Sequence, residues 1–104
     1  MYIRTDDTKK YRRGHSVLEF IHFRVKAGPE SIIQVNISQP AYVRLMDELN
    51  FQKYKMKKNY KYTGGYASTP KVDLRPHVRS EWHVVVDLEG MSGHVRASVD
   101  ILRG

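Results

Sequence analysis

The five histidines, His15, His22, His77, His83 and His94, are the side chains best suited to chemistry in this chain. Imidazole serves both as a metal ligand and as an acid–base group near neutral pH. His83 and His94 flank the last two apolar-alternating runs, so a hairpin there would set them near each other on its polar face, with Asp87 and Asp100 as the same-face acids. A tight transition-metal site wants three or four ligands and a supporting shell, and this set falls short of one. The expectation is therefore surface histidines on a half-exposed sheet, with no metal and no cofactor. The alternative is a small His-dependent hydrolase or metal-dependent enzyme built on His83 and His94.

Other enzymatic signatures are missing. None of Ser16, Ser31, Ser68, Ser80, Ser92 and Ser98 sits in a G-x-S-x-G elbow. Gly64-Gly65 does not lead into the Lys-Ser/Thr of a phosphate loop. Asp47 and Glu48 read as the cap and first turn of a helical segment rather than as an acid–base pair. With no cysteine, the chain has no thiolate metal site, redox pair, disulfide framework or cysteine nucleophile. A non-enzymatic protein is expected.

The second constellation is basic and aromatic. Lys53, Lys55, Lys57, Lys58 and Lys61 follow one another with no intervening acid, and Tyr54, Tyr60 and Tyr62 are threaded among them. Lysines neutralise phosphates and aromatic faces accept stacked bases, so the pattern suits a single-stranded polyanion. The plainer reading is a solvated loop or a guarded sheet edge, with the tyrosines, Tyr42 and Tyr66 included, packed at the rim of the core. The net charge of +7 favours polyanions without selecting one. Lys53, Lys55, Lys57, Lys58, Tyr60, Lys61 and Tyr62 are the candidate binding residues, and the partner class is a protein or a polyanion, nucleic acid included.

The elements that must position these groups are mostly strands. At 104 residues the chain has the length of one domain. Residues 1–16 lack a hydrophobic period and read as a charged, mobile or loosely docked arm, and residues 17–104 as the domain. Val17 to Lys26 is apolar on both faces at its start, and Ser31 to Ser38 alternates cleanly; with the Gly28-Pro29 turn between them they predict a hairpin. Ala41 to Met46 fits a strand or a helical stripe; we favour a strand followed by a helical turn capped by Asp47, near residues 47–55, that lays Leu49, Phe51 and Tyr54 over the sheet edge. Gly64-Gly65 marks a turn or a close backbone approach, and Lys71 to Leu74 a short edge strand.

Trp82, Val84, Val86 and Leu88 alternate with His83, Val85 and Asp87, as Val95, Ala97, Val99 and Ile101 do with His94, Arg96, Ser98 and Asp100, and the glycine-containing link between them predicts a second hairpin. Trp82 is expected in the core. The fold class is all-β and mainly antiparallel, a small β-sandwich or jelly-roll-like barrel. No run is long enough to cross a bilayer and the start lacks a secretory apolar stretch, so the expected address is the cytoplasm.

The blocks Val43-Arg-Leu-Met-Asp47, Asn50-Phe51-Gln-Lys-Tyr54, Tyr62-Thr-Gly64-Gly65, Trp82-His-Val-Val-Val-Asp-Leu88 and Val95-Arg-Ala-Ser-Val99 resemble the bacterial DUF1883 family over roughly residues 17–103. That family is a domain of unknown function found alone or joined to a TIR domain. The resemblance implies a β-rich accessory or recognition unit and carries over no catalytic or ligand residue. A subunit that assembles through an exposed sheet edge is the remaining alternative.

Overall fold

The computed structural model describes residues 3–5, 9–13, 16–91 and 93–103, with side chains from Phe20 onward. Its strands are β1 (Ile3–Thr5), β2 (Lys9–Arg13), β3 (Ser16–Ala27), β4 (Ser31–Ile37), β5 (Ala41–Met46), β6 (Thr63–Ala67), β7 (Lys71–Leu74), β8 (Ser80–Asp87) and β9 (Ala97–Arg103), with one helix, α1 (Glu48–Lys55), between β5 and β6. They form two antiparallel sheets, ordered β1-β9-β4-β7 and β2-β3-β8-β5-β6. Strand alternation dictates the layer between them. Ile33, Val35, Val99 and Ile101 from the first sheet meet Ile21, Phe23, Val25, Val43, Leu45, Trp82, Val84 and Val86 from the second in one buried cluster. The fold is a small β-sandwich.

Neither expected hairpin forms. β3 pairs with β8, from Ile21↔Val86 to Ala27↔Ser80, and β4 pairs with β9, from Ser31↔Arg103 to Ile37↔Ala97. The short links after β3 and after β8 therefore carry the chain from one sheet to the other. Two alternating runs joined by a glycine turn suit such an arch as well as a hairpin, because either arrangement buries both apolar faces; here the faces oppose each other across the core. Val99 and Ile101 do point inward opposite Trp82, Val84 and Val86, with Val95, Ala97 and Leu88 packed at the margin.

The five-stranded sheet is buried on its outer face too. Phe20, Met46, Val85, Phe51 and Tyr54 form a second cluster beneath α1. Phe20 and Ile21 consequently face different cores, as the doubly apolar start of β3 requires. Leu49 departs from the expected stripe and is 63% exposed. At 100° per residue it lies far around the helix from Phe51, whereas Phe51 and Tyr54, three apart, share a face. The segment before residue 17 supplies two strands, β1 against β9 and β2 against β3, while residues 6–8, 14 and 15 lie outside the described residues.

β6 was not expected as a strand. It pairs with β5 along Ala41↔Ala67 to Leu45↔Thr63. Gly64 at φ 104° would bring a Cβ to 2.3 Å from the Val43 carbonyl oxygen, so the close approach implied by the Gly-Gly pair is real and lies within the strand.

Candidate functional site

α1 organises the outer face of the five-stranded sheet. Its start is set by Asp47, whose carboxylate accepts the Asn50 N–H at 2.8 Å. Its end is set at Met56, after which Lys57 takes φ 57° and the Lys57 and Lys58 N–H groups donate back to Tyr54 and Lys53 carbonyls. Lys53 and Lys55 in the last turn offset the negative end of the helix, and Lys55 Nζ lies 4.7 Å from the Phe51 ring centroid. The loop then doubles back, held by the Lys61 N–H donating to Asn50 Oδ1 at 2.8 Å.

That return stacks a row of tyrosines along the sheet. Tyr60 meets Tyr54 edge-on with centroids 5.3 Å apart, and Tyr62 lies 5.4 Å from Tyr60. Arg44, projecting from β5, has its guanidinium carbon 5.1 Å from the Tyr62 centroid and 4.8 Å from that of Tyr42, while Tyr42 packs against Tyr66. The row runs from buried to open: Tyr54 is enclosed, Tyr60 half-buried, and Tyr62 and Tyr66 are 47% and 57% exposed.

Buried charge anchors the row. Arg44 approaches Asp87 at 3.5 Å and donates to Glu89 at 2.5 Å. Asp87 also accepts from the Tyr54 hydroxyl at 2.5 Å and from the Glu89 N–H at 2.8 Å. Burial nonetheless pushes the Asp87 carboxyl above its ordinary range, against the pull of Tyr54 and Arg44. Tyr54 is driven upward by burial and by donating to that carboxylate, so its hydroxyl stays protonated. Arg44 is thus committed to the buried Asp87 and the half-exposed Glu89, and the exposed cations of this face include Lys57, Lys58 and Lys61.

A second cluster lies under the helix N-terminus. His22 Nε2 and His83 Nδ1 are 2.7 Å apart, and Phe51 stacks on both rings at centroid distances of 4.2 and 4.4 Å. His83 Nε2 lies 3.2 Å from Glu48 Oε1, without the alignment of a hydrogen bond. Burial lowers the His83 pKa, opposed by Glu48, so the ring is neutral at pH 7. The Gln52 amide, donating to Glu48 at 2.5 Å, holds that carboxyl below the usual range, and His83 adds to the effect.

The histidines therefore correct the expectation of a surface set. His22 and His83 are buried between β3, β8 and α1; His94 is exposed in the link between β8 and β9, which belong to different sheets, so the hairpin that would have joined it to His83 does not exist. Asp87 serves Arg44 and Tyr54, and Asp100, on the other sheet, accepts from Asn36 at 3.1 Å. His77 packs edge-on against Trp82, and His15 lies outside the described residues.

Of the basic-aromatic candidates, Lys57, Lys58, Lys61 and Tyr62 are exposed, while Lys53, Lys55 and Tyr60 are partly covered. The joining of Arg44 to Asp87 and Glu89, and of His22 to His83, escaped the sequence reading, which had set Asp87 beside His83 and His94. Arg44, His22, His83 and Asp87 show in the sequence only as polar side chains within strands, which also describes a solvated face, and Glu89 only as part of the link after β8. A shallow groove lies elsewhere, between Asn36–Ser38, Pro70–Lys71 and Arg96–Ser98.

The sequence profile of a domain of unknown function, DUF1883, matches residues 18–104. The chain belongs to this family. The match takes in α1, the tyrosine row, and every residue of both clusters on the outer face. No curated protein and no solved structure matches the chain. Among the described residues no helix is long and apolar enough to cross a membrane.

Proposed function

We propose that this chain is a non-enzymatic recognition module of the bacterial cytoplasm that binds a polyanionic partner through the surface formed by the end of α1, the loop after it and the start of β6. The observation that carries the reading is the exposure of Lys57, Lys58, Lys61 and Tyr62 on a segment tied down by Asn50 and backed by a buried aromatic row. Lys53 and Lys55 extend the positive charge along the helix, and Tyr60 sets the angle of Tyr62. Exposed cations beside a supported aromatic face recognise a phosphate backbone together with a stacked base. Preorganisation matters because ordering a floppy loop on binding would consume much of the interaction energy.

Binding of a fluorescent single-stranded oligonucleotide and of inorganic polyphosphate tests this. Tyr62→Leu keeps bulk and removes the π-face. The expected result is oligonucleotide affinity reduced roughly fivefold or more, within the range of about 1–3 kcal/mol per stacked base, with polyphosphate binding unchanged. Failure of the wild-type chain to bind either probe at low salt refutes the reading, as does binding of both that is indifferent to Lys57, Lys58 and Lys61.

A further inference from the structure

His83, Glu48 and Glu81 converge from β8 and the first turn of α1, with one ligand-type atom from each lying within 4.8 Å of the others. His83 has a side-chain exposure of 0%, and its Nε2 points into this group with no aligned hydrogen-bond partner. Glu48 and Glu81 have side chains 55% and 43% exposed, so the site opens to solvent on the acid side. A fully buried imidazole nitrogen turned toward two carboxylates is an unusual use of a polar atom, since burying it unpaired is costly.

We infer that His83, Glu48 and Glu81 form a binding site for one divalent first-row transition-metal ion, with Zn²⁺ as the cation that fits best. The first argument is distance. Two donors each about 2.0–2.1 Å from a tetrahedral ion stand about 3.3–3.4 Å apart, and His83 Nε2 and Glu48 Oε1 are already 3.2 Å apart. Glu81 completes the set within 4.8 Å of both, and the exposed contact on it, Arg24 Nε at 3.3 Å, is of a kind worth little and easily exchanged for the ion.

The second argument is orientation. His83 is clamped by Phe51 stacking and by His22 at its other nitrogen. Ligation through Nε2 requires the hydrogen on Nδ1, which then donates to His22 Nε2, and such an outer partner is what fixes the tautomer of metal-binding histidines. The third argument is donor type. One imidazole and two carboxylates suit zinc better than the all-oxygen shells of Mg²⁺ or Ca²⁺, and three protein ligands leave a fourth position for water.

Calorimetric titration of the full chain with Zn²⁺, paired with Co²⁺ absorption as a report on coordination, tests the site. One ion per chain is expected. Glu48→Gln and Glu81→Gln, both at exposed positions that leave the fold intact, should each weaken Zn²⁺ at least about tenfold and suppress the Co²⁺ band. His83→Gln should abolish binding; because that variant alters a buried position, the two glutamate variants decide the matter if it does not fold. Absence of saturable binding overturns the site. So does binding that is unchanged in both glutamate variants, or that is lost with His77→Gln or His94→Gln.

Discussion

Replacing Arg44 with Met keeps most of the stem between Tyr42 and Tyr62 but removes the charge that faces Asp87. Breaking one side of a buried ion pair costs about 3–5 kcal/mol. Asp87 keeps the Tyr54 hydroxyl and the Glu89 N–H and loses only a long contact at 3.5 Å, while Glu89, which loses its 2.5 Å partner, has a side chain 44% exposed that water can solvate, so the expected loss is near the lower bound, about 3 kcal/mol at pH 7. For a domain of this size that lowers Tm by roughly 12 °C, at about 4 °C per kcal/mol. The loss also depends on pH. Burial raises the Asp87 pKa above its unfolded value, so the folded state takes up this proton more readily; the stabilisation is fully present below the unfolded pKa and is lost as pH rises through the folded one. Without Arg44, which lowers that pKa, the folded value climbs further and the Arg44→Met penalty shrinks as pH falls. Asp87→Asn placed on top of Arg44→Met should recover most of the stability. Urea unfolding followed by the fluorescence of Trp82, the single tryptophan, reads all of this. A penalty independent of pH, or no recovery by Asp87→Asn, refutes the reasoning.

Three further substitutions test the layers on either side of β8. Val99→Asp sets a carboxylate between the sheets with no partner and should destabilise by several kcal/mol, so unchanged thermal stability would overturn the register of β9 against β4. Phe51→Ala should cost about 3–5 kcal/mol in the same unfolding assay, whereas Leu49→Gln on the open side of α1 should stay within about 0.5 kcal/mol; equal effects would contradict the orientation of the helix.

Much of the strand content was legible because period-two alternation is a local signal. β4, β5 and β7 fall where the residues place them, and Asp47 marks the start of α1 through its own side-chain bond. What alternation does not encode is the partner. An apolar face on Ser31–Ile37 is buried equally well beside β3 or across from it, and the outcome rests on the pairing of β4 with β9 and of β3 with β8. β6 was missed because Gly64 and Gly65 carry no alternation, and both take the positive φ that makes a glycine pair a turn signal in sequence. His83 and Asp87 read as a solvated face because nothing near them in sequence shows that α1 and the tyrosine row cover that side of β8. Covering elements contributed by distant segments also explain why the basic lysines were visible and the buried charges behind them were not.

The salt dependence of oligonucleotide binding tests the recognition surface most directly. Replacing Lys57, Lys58 and Lys61 together by Gln removes three exposed cations and no buried contact. Each lost phosphate contact takes about 0.7 from the slope of log K against log salt concentration for a single strand, so the triple variant should be flatter than the wild-type chain by about 2. An unchanged slope would contradict the account and leave these lysines as solubilising surface.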